Sequence, residues 1–341
     1  MKKRTKTGNL RMNLWNSAII GTGSYAPEKV LTNYDLEKMV DTSDEWIRRR
    51  TGMVERRIAD ENTASSDLGI QSSLRAIEDA GIDPLEIDLI IAPTVTPDMF
   101  FPSTACFIQK GIKASNSAAF DISAGCSGFP YGLVIADQFI KCGTYKTVLV
   151  VAAETLSKIT DWTDRSTCVL FGDASGAAIL QRTDEKKGIL SQYLAADGEY
   201  SDFELLGIPG GGSRNPTSHE TIDKGMHYIK MSGRELFKLG VKAMAEAGAK
   251  ALESADLPLD DIDLCIPHQA NKRMIDAIAE LMHVPKEKMF VNIEKYGNTS
   301  SVTMAVALDE AIKEGRIGPG NIVLIVSFGS GLTWAGVVIK L

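Results

Sequence analysis

The chain repeats itself, and that repeat limits its architecture more than any other feature. Residues 76–93, AIEDAGIDPLEIDLIIAP, align with 251–268, ALESADLPLDDIDLCIPH, at an offset of 175. Seven of the eighteen positions are identical, among them Ile87-Asp88-Leu89 and Ile262-Asp263-Leu264. Each copy reads as a helix end, a turn and a buried strand. A second match sets Gly125–Gly143 against Gly297–Gly315, with Val134, Asp137, Ile140 and Lys141 opposite Val306, Asp309, Ile312 and Lys313. Each of these copies reads as a helix entered from a glycine turn and closed by another glycine. The apolar runs Val148–Val151 and Val323–Val326 follow as strands buried on both faces. The 341 residues are therefore read as one α/β unit doubled, with halves 15–185 and 186–341.

The remaining stretches narrow the function classes. Residues 1–14 are basic and polar with no apolar run behind them, so they read as a disordered tail rather than a signal peptide. No window approaches the roughly 20 apolar residues of a membrane span. A net charge of −7 argues against generic nucleic-acid binding. The five cysteines are irregularly spaced without a CxxC pair. That argues against a zinc site or a disulfide framework and for a reducing cytoplasm. Segment 200–226 is rich in Gly, Pro and Ser and reads as a loop, either a surface insertion or a cover over a site.

The second match places Cys126 opposite Asn298, each after a glycine and each read as opening a helix. A helix start carries partial positive charge, which favours a thiolate. Cys106, Cys142, Cys168 and Cys265 read instead as small buried hydrophobes. Of the four histidines, His219, His227 and His283 fall in polar or helix-end positions that read as solvated. His268 ends a strand and opens His268-Gln-Ala-Asn271, at the strand end where open α/β sheets place ligands. Near the C-terminus, Ser327-Phe-Gly-Ser-Gly-Leu-Thr-Trp334 offers a glycine-flanked turn. Its backbone N–H groups can face a developing oxyanion, although such a turn is also an ordinary hairpin.

With these residues assembled, the chain resembles the β-ketoacyl-acyl carrier protein synthase III family of the thiolase superfamily. The likeness runs from about residue 16 to 341. It is carried by Trp46-Ile-Arg-Arg-Arg-Thr-Gly52, Phe120-Asp-Ile-Ser-Ala-Gly-Cys-Ser-Gly-Phe129, Asp164-Arg165, Phe171-Gly-Asp173, His268-Gln-Ala-Asn271 and Tyr296-Gly-Asn-Thr-Ser300. The resemblance implies a thiolase-like five-layer αβαβα sandwich of two duplicated halves, dimeric as in most relatives. It implies that Cys126 is the nucleophile, paired with His268 and Asn298, and that acyl-CoA and malonyl-acyl carrier protein are substrates, with no cofactor and no metal.

Further positions carry over from the same resemblance. Ser330 and Phe328 stand where the family shapes its oxyanion site. Trp46, Arg50, Thr51 and Arg165 match residues that hold CoA, and Gly233, Phe237, Ala270 and Asn271 match the phosphopantetheine channel. Phe101 matches a phenylalanine that reaches across the dimer into the acyl pocket. Lys238, Lys272 and Arg273 match a dock for the acidic carrier. Departures are Gly125 and Ser127 around the nucleophile, Arg234, Ala335, and Ser330 in a glycine position, where a positive φ would strain serine. The implied reaction is the initiating condensation of fatty-acid synthesis. A specialised-metabolism relative transferring other acyl thioesters and a non-catalytic binding protein are the competing classes.

Overall fold

The structure is a computed structural model that describes residues 15–201 and 203–341. The expected tail, 1–14, lies outside the described residues. Five strands form one sheet: β1 (Asn16–Tyr25), β2 (Leu89–Pro93), β3 (Ala118–Ile122), β4 (Thr147–Thr155) and β5 (Asp173–Thr183), in the order β1-β5-β4-β2-β3. Four form the other: β6 (Gly188–Ala196), β7 (Leu264–Pro267), β8 (Ile322–Gly329) and β9 (Thr333–Lys340), in the order β7-β8-β9-β6. In each sheet the parallel pair, β2 with β4 and β7 with β8, continues into antiparallel neighbours. The sheets thus correspond strand for strand, with β3 left over. Its place in the second sheet is held by a single bridge, Cys265 to Met289.

Seven helices complete the layers: α1 (Asp44–Thr51), α2 (Ser65–Ala80), α3 (Thr104–Ile112), α4 (Gly128–Lys141), α5 (Gly233–Ala255), α6 (Lys272–Met282) and α7 (Val302–Lys313). Phe129 and Leu133 of α4 and Val302 and Leu308 of α7 pack between the sheets, against Val150 on one side and Ile325 on the other. Ala76 of α2 and Ile108 of α3 cover the outer face of the first sheet at Leu149 and Val151. Met244 of α5 and Ile278 of α6 cover the outer face of the second at Leu324 and Val326. The result is a five-layer αβαβα sandwich. Every residue of β4 is buried, as a strand covered on both faces requires.

The repeated residues do repeated work. Asp88 accepts hydrogen bonds from the N–H groups of Lys146 and Thr147 where β4 begins. Asp263 accepts from Ile322 N where β8 begins. Asp137 and Asp309 are both fully buried, each ion-paired at 2.8 Å with the lysine four residues on, Lys141 or Lys313. Both also hold β1: Ser17 donates to Asp137 at 2.7 Å, while Thr22 and Ser24 donate to Asp309 at 2.8 and 2.5 Å.

Three expectations need correction. Asn298 does not open a helix: it forms an isolated bridge with Phe171, four residues ahead of α7. Segment 200–226 is not wholly loop, because short helical turns form at Phe203–Leu206 and His219–Asp223. Of the cysteines read as buried, Cys168 and Cys265 are, but Cys106 and Cys142 are exposed. Cys106 falls on the solvent side of amphipathic α3, and Cys142 lies just past the end of α4.

Candidate active site

Cys126 sits in a single 3-10 turn, Gly125–Ser127, that runs straight into α4. Gly125 has φ +54°, and a Cβ there would lie 2.6 Å from Ser330 N, so the turn and the β8–β9 hairpin approach too closely for any side chain. Cys126, His268, Asn298, Ser330 and Phe328 all line one cavity of about 280 Å³. Gly233, Phe237, Ala270 and Asn271 line it too. Ser330 is not among the residues with positive φ; the neighbouring Gly331 takes that conformation at +135°, so serine carries no such strain.

The four residues His268–Asn271 divide their work. His268 is 2% exposed, and its Nδ1 lies 2.8 Å from the Thr303 hydroxyl, leaving Nε2 as the nitrogen available to a ligand. Thr303 Oγ1 also donates to the Ser300 carbonyl at 3.0 Å. Burial pushes the imidazole down to about 3, so it is neutral at pH 7. Gln269 is a staple: its Nε2 donates to the carbonyls of Pro267 and Phe290, and its Oε1 accepts from Asn292 N. Asn271 caps α6 by accepting from Arg273 N. Asn298 accepts from Ser300 N through Oδ1 at 2.9 Å, which commits the oxygen and leaves the Nδ2 donors.

The thiol does not behave as its helix-start position led us to expect. Burial pushes Cys126 up to about 11, the Ser300 hydroxyl draws it down, and the charge of Glu154 raises it again. Loss of water around the thiol is the largest of these effects.

The other expected contacts lie outside the cavity. Arg165 stacks over the Trp46 ring at 5.0 Å, and Arg50 is exposed on the same helix as Trp46. Thr51 is 3% exposed and donates to Ile47 O, so it supports α1 rather than facing a ligand. Helices α1 and α6 pack together, which sets that pair beside Lys272 and Arg273. Arg273 lies over the cavity-lining Phe237 at 5.9 Å, Lys238 is exposed, and Lys272 is ion-paired with Asp276. Phe101 is 84% exposed and does not line the cavity.

The sequence reading passed over Glu154 and the apolar wall formed by Val95, Leu156, Ile159, Leu206, Ile208 and Ile229. A glutamate ending the run Val148-Leu-Val-Val-Ala-Ala153 was the available signal for the first. Because Leu206, Gly207 and Ile208 line the cavity, segment 200–226 covers the site rather than bulging away from it.

Residues 120–198 match the family model described as 3-oxoacyl-[acyl-carrier-protein (ACP)] synthase III, and 252–341 match the model of its C-terminal part. A β-ketoacyl-[acyl-carrier-protein] synthase III of Caldanaerobacter subterraneus is 56% identical over 324 residues, covering 95% of this chain and 97% of the relative. The chain belongs to the β-ketoacyl-acyl carrier protein synthase III family. It is thus an acyltransferase, a condensing enzyme of fatty-acid biosynthesis. Among solved synthases III, that of Aquifex aeolicus superposes with a TM-score of 0.88 at 50% identity, over 95% of this chain and all of that one. A priming β-ketosynthase of the R1128 polyketide pathway superposes at 0.90 with 34% identity over 98% of each chain.

Proposed function

We propose that this synthase III starts chains by a two-step exchange through Cys126. The Cys126 sulfur attacks an acyl-CoA thioester, giving an acyl-enzyme and releasing CoA. N–H groups of Cys126 and Ser330 hold the tetrahedral oxyanion. Malonyl-acyl carrier protein then enters, and loss of carbon dioxide leaves an enolate whose oxygen accepts from His268 Nε2 and Asn298 Nδ2. In the tautomer this needs, the Thr303 hydroxyl turns from the Ser300 carbonyl and donates a hydrogen bond to His268 Nδ1. The carbanion attacks the acyl carbon, the bond from that carbon to Cys126 Sγ breaks, and β-ketoacyl-acyl carrier protein forms as the Cys126 thiolate leaves. An amide cannot serve as a base, so Asn298 favours decarboxylation over deprotonation as the source of the carbanion.

The observation that carries this reading is Asn298: Ser300 N takes its oxygen, so what it offers the cavity is a donor. The stacked Arg165–Trp46 pair is assigned to the CoA adenine, with Arg50 on its phosphates. Lys238 and Arg273 are assigned to the carrier, with Lys272 released from Asp276 when the carrier docks. Residues 15–185 form the nucleophile half and 186–341 the donor half. The exposed Phe101 is read as entering a partner's acyl pocket in a homodimer. Unpaired cysteines fit a cytoplasmic enzyme, and no described helix is long and apolar enough to cross a membrane. Among the described residues no cluster of metal-ligating side chains exists, and the reaction as written uses no cofactor.

Likeness to the polyketide priming enzyme supports a second reading, in which the same chemistry serves a different carrier. Intact-protein mass spectrometry tests both. Acyl-CoA should leave one acyl group on Cys126, absent from Cys126→Ala, and malonyl-acyl carrier protein of fatty-acid synthesis should discharge it. An adduct that this carrier cannot discharge overturns the first reading, and discharge only by a polyketide carrier establishes the second.

A further inference from the structure

Arg56 lies in the short hairpin strand Glu55–Arg57 and is fully buried. A guanidinium taken out of water is costly and persists only where hydrogen bonds hold it. Its Nη2 donates to Val169 O at 2.5 Å, and its Nη1 to Asn33 Oδ1 at 2.7 Å and to Leu31 O at 3.5 Å. All three acceptors are neutral oxygens. Among the described residues its Nε has no hydrogen-bond partner. Burial pushes the group down to about 10, so it is still a cation at pH 7.

Asn33 is the second element, also fully buried, and it meets the guanidinium with its oxygen. Its Nδ2 donates at 2.9 Å to Asp44 Oδ1, in the first turn of α1, and at 2.9 Å to Met53 O. An amide can accept from a cation and donate to a carboxylate at the same time. A carboxylate at this position would face Asp44 with like charge, and an apolar side chain would strand both neighbours.

The two ends of this bridge carry the stacked pair. At one end is Asp44, two residues before Trp46 on the same helix. At the other is Val169, directly after the short helical turn Arg165–Cys168 that Arg165 opens. The Arg165 guanidinium stands 5.0 Å from the Trp46 ring, and its Nη1 donates to Asp41 O at 2.8 Å. The chain then runs on into Leu170 and Phe171 of the cavity lining, where Leu170 O accepts from Asn298 N at 2.9 Å. One buried bridge therefore ties α1 to the segment that enters the cavity.

We propose that Asn33 and Arg56 are positioning residues for the CoA nucleotide, their bridge setting the spacing between Trp46 and Arg165. The proposal rests on that stacked pair taking the adenine of CoA. Asn33 and Arg56 touch no substrate and act through the helix and the segment they join. Their effect should therefore depend on the nucleotide being present. An acyl thioester of N-acetylcysteamine carries the reacting bond without the nucleotide, and its reaction should not sense the bridge.

Steady-state condensation by the full-length enzyme, with saturating malonyl-acyl carrier protein, reads KM and kcat for each acyl donor. Asn33→Asp keeps an oxygen toward Arg56 and turns a like charge on Asp44. It should raise KM for acyl-CoA about tenfold, the worth of one charge-assisted hydrogen bond, and leave kcat within about twofold. Its kcat/KM for the N-acetylcysteamine thioester should stay within about twofold of wild type. The double variant Asn33→Asp/Asp44→Asn reverses the donor, because the new amide at 44 can donate to the new carboxylate at 33. It should bring KM for acyl-CoA back to within about threefold of wild type. General damage to the fold would slow both donors alike and would not be repaired by a second substitution. If Asn33→Asp does not fold, Asp44→Ala carries the test, with the same rise in KM confined to acyl-CoA. Parallel losses with both donors, or no recovery in the double variant, overturns the bridge. Trp46→Ala separates it from the reading beneath it. A raised KM for acyl-CoA in Trp46→Ala but not in Asn33→Asp overturns the bridge alone, and an unchanged KM in both overturns the adenine site as well.

Discussion

Cys126 and Asn298 occupy matching places in the two halves, yet their backbones differ. The first half brings Cys126 directly into α4 through one tight turn, with Gly125 at positive φ. The second half holds Asn298 back, bridged to Phe171, and starts α7 four residues later. Duplication therefore fixes where the chemistry happens, and local departures from it decide which group arrives and what it presents. A sulfur carried into a helix start faces the cavity beside backbone N–H groups. An amide withdrawn from one can turn its oxygen to Ser300 N and present its nitrogen.

The largest effects should come from exchanging these two positions' functions one at a time. Cys126→Ala should abolish both CoA release and condensation, whereas Asn298→Ala should retain CoA release. Condensation by Asn298→Ala should fall by about 10²–10³, the usual loss for one oxyanion donor. Rapid-quench measurement of each half-reaction separates them. Loss of CoA release in a folded Asn298→Ala protein would break the assignment of the two halves to two steps.

A smaller effect distinguishes the paired buried aspartates. Both ion pairs measure 2.8 Å, but Asp309 holds two β1 hydroxyls and Asp137 holds one. The lysines are 22% and 51% exposed, so the loss on Asp→Ala comes mainly from the hydroxyls left stranded in the core, about 1–3 kcal/mol. Both Asp→Ala variants should show losses of that order by urea unfolding, with Asp309→Ala the greater by about 1 kcal/mol for the extra stranded hydroxyl. Equal losses would mean that the lysines, and not β1, account for the effect.

What the sequence disclosed followed how local each cause is. Asp88 and Asp263 each dock the start of a neighbouring strand, and their triplets sit at fixed distances from helix ends, so pattern alone located them. The burial that raises the Cys126 thiol, and the Glu154 charge that adds to it, come from distant segments that only the fold gathers. Cys106 shows the same limit on a smaller scale: an apolar stretch fixes a helix, but its rotation is set by what it packs against. Thr51 matched a ligand contact by motif, and its burial under α1 shows that a motif residue can serve the element that carries the site.

The smallest predicted effect compares the glycines that close the matching helices. Gly143 and Gly315 have φ of +74° and +68°. A Cβ at Gly315 would meet nothing within 4 Å, and one at Gly143 would only touch the Trp15 ring at 3.7 Å. Space is therefore no obstacle at either site, and alanine should cost only the left-handed backbone penalty, about 1 kcal/mol. Urea midpoints of Gly143→Ala and Gly315→Ala should fall by similar amounts, with Gly143→Ala partly offset by contact with Trp15. A neutral Gly315→Ala would show that the second helix ends by packing alone, so that the two halves differ at their helix ends as well as at their helix starts.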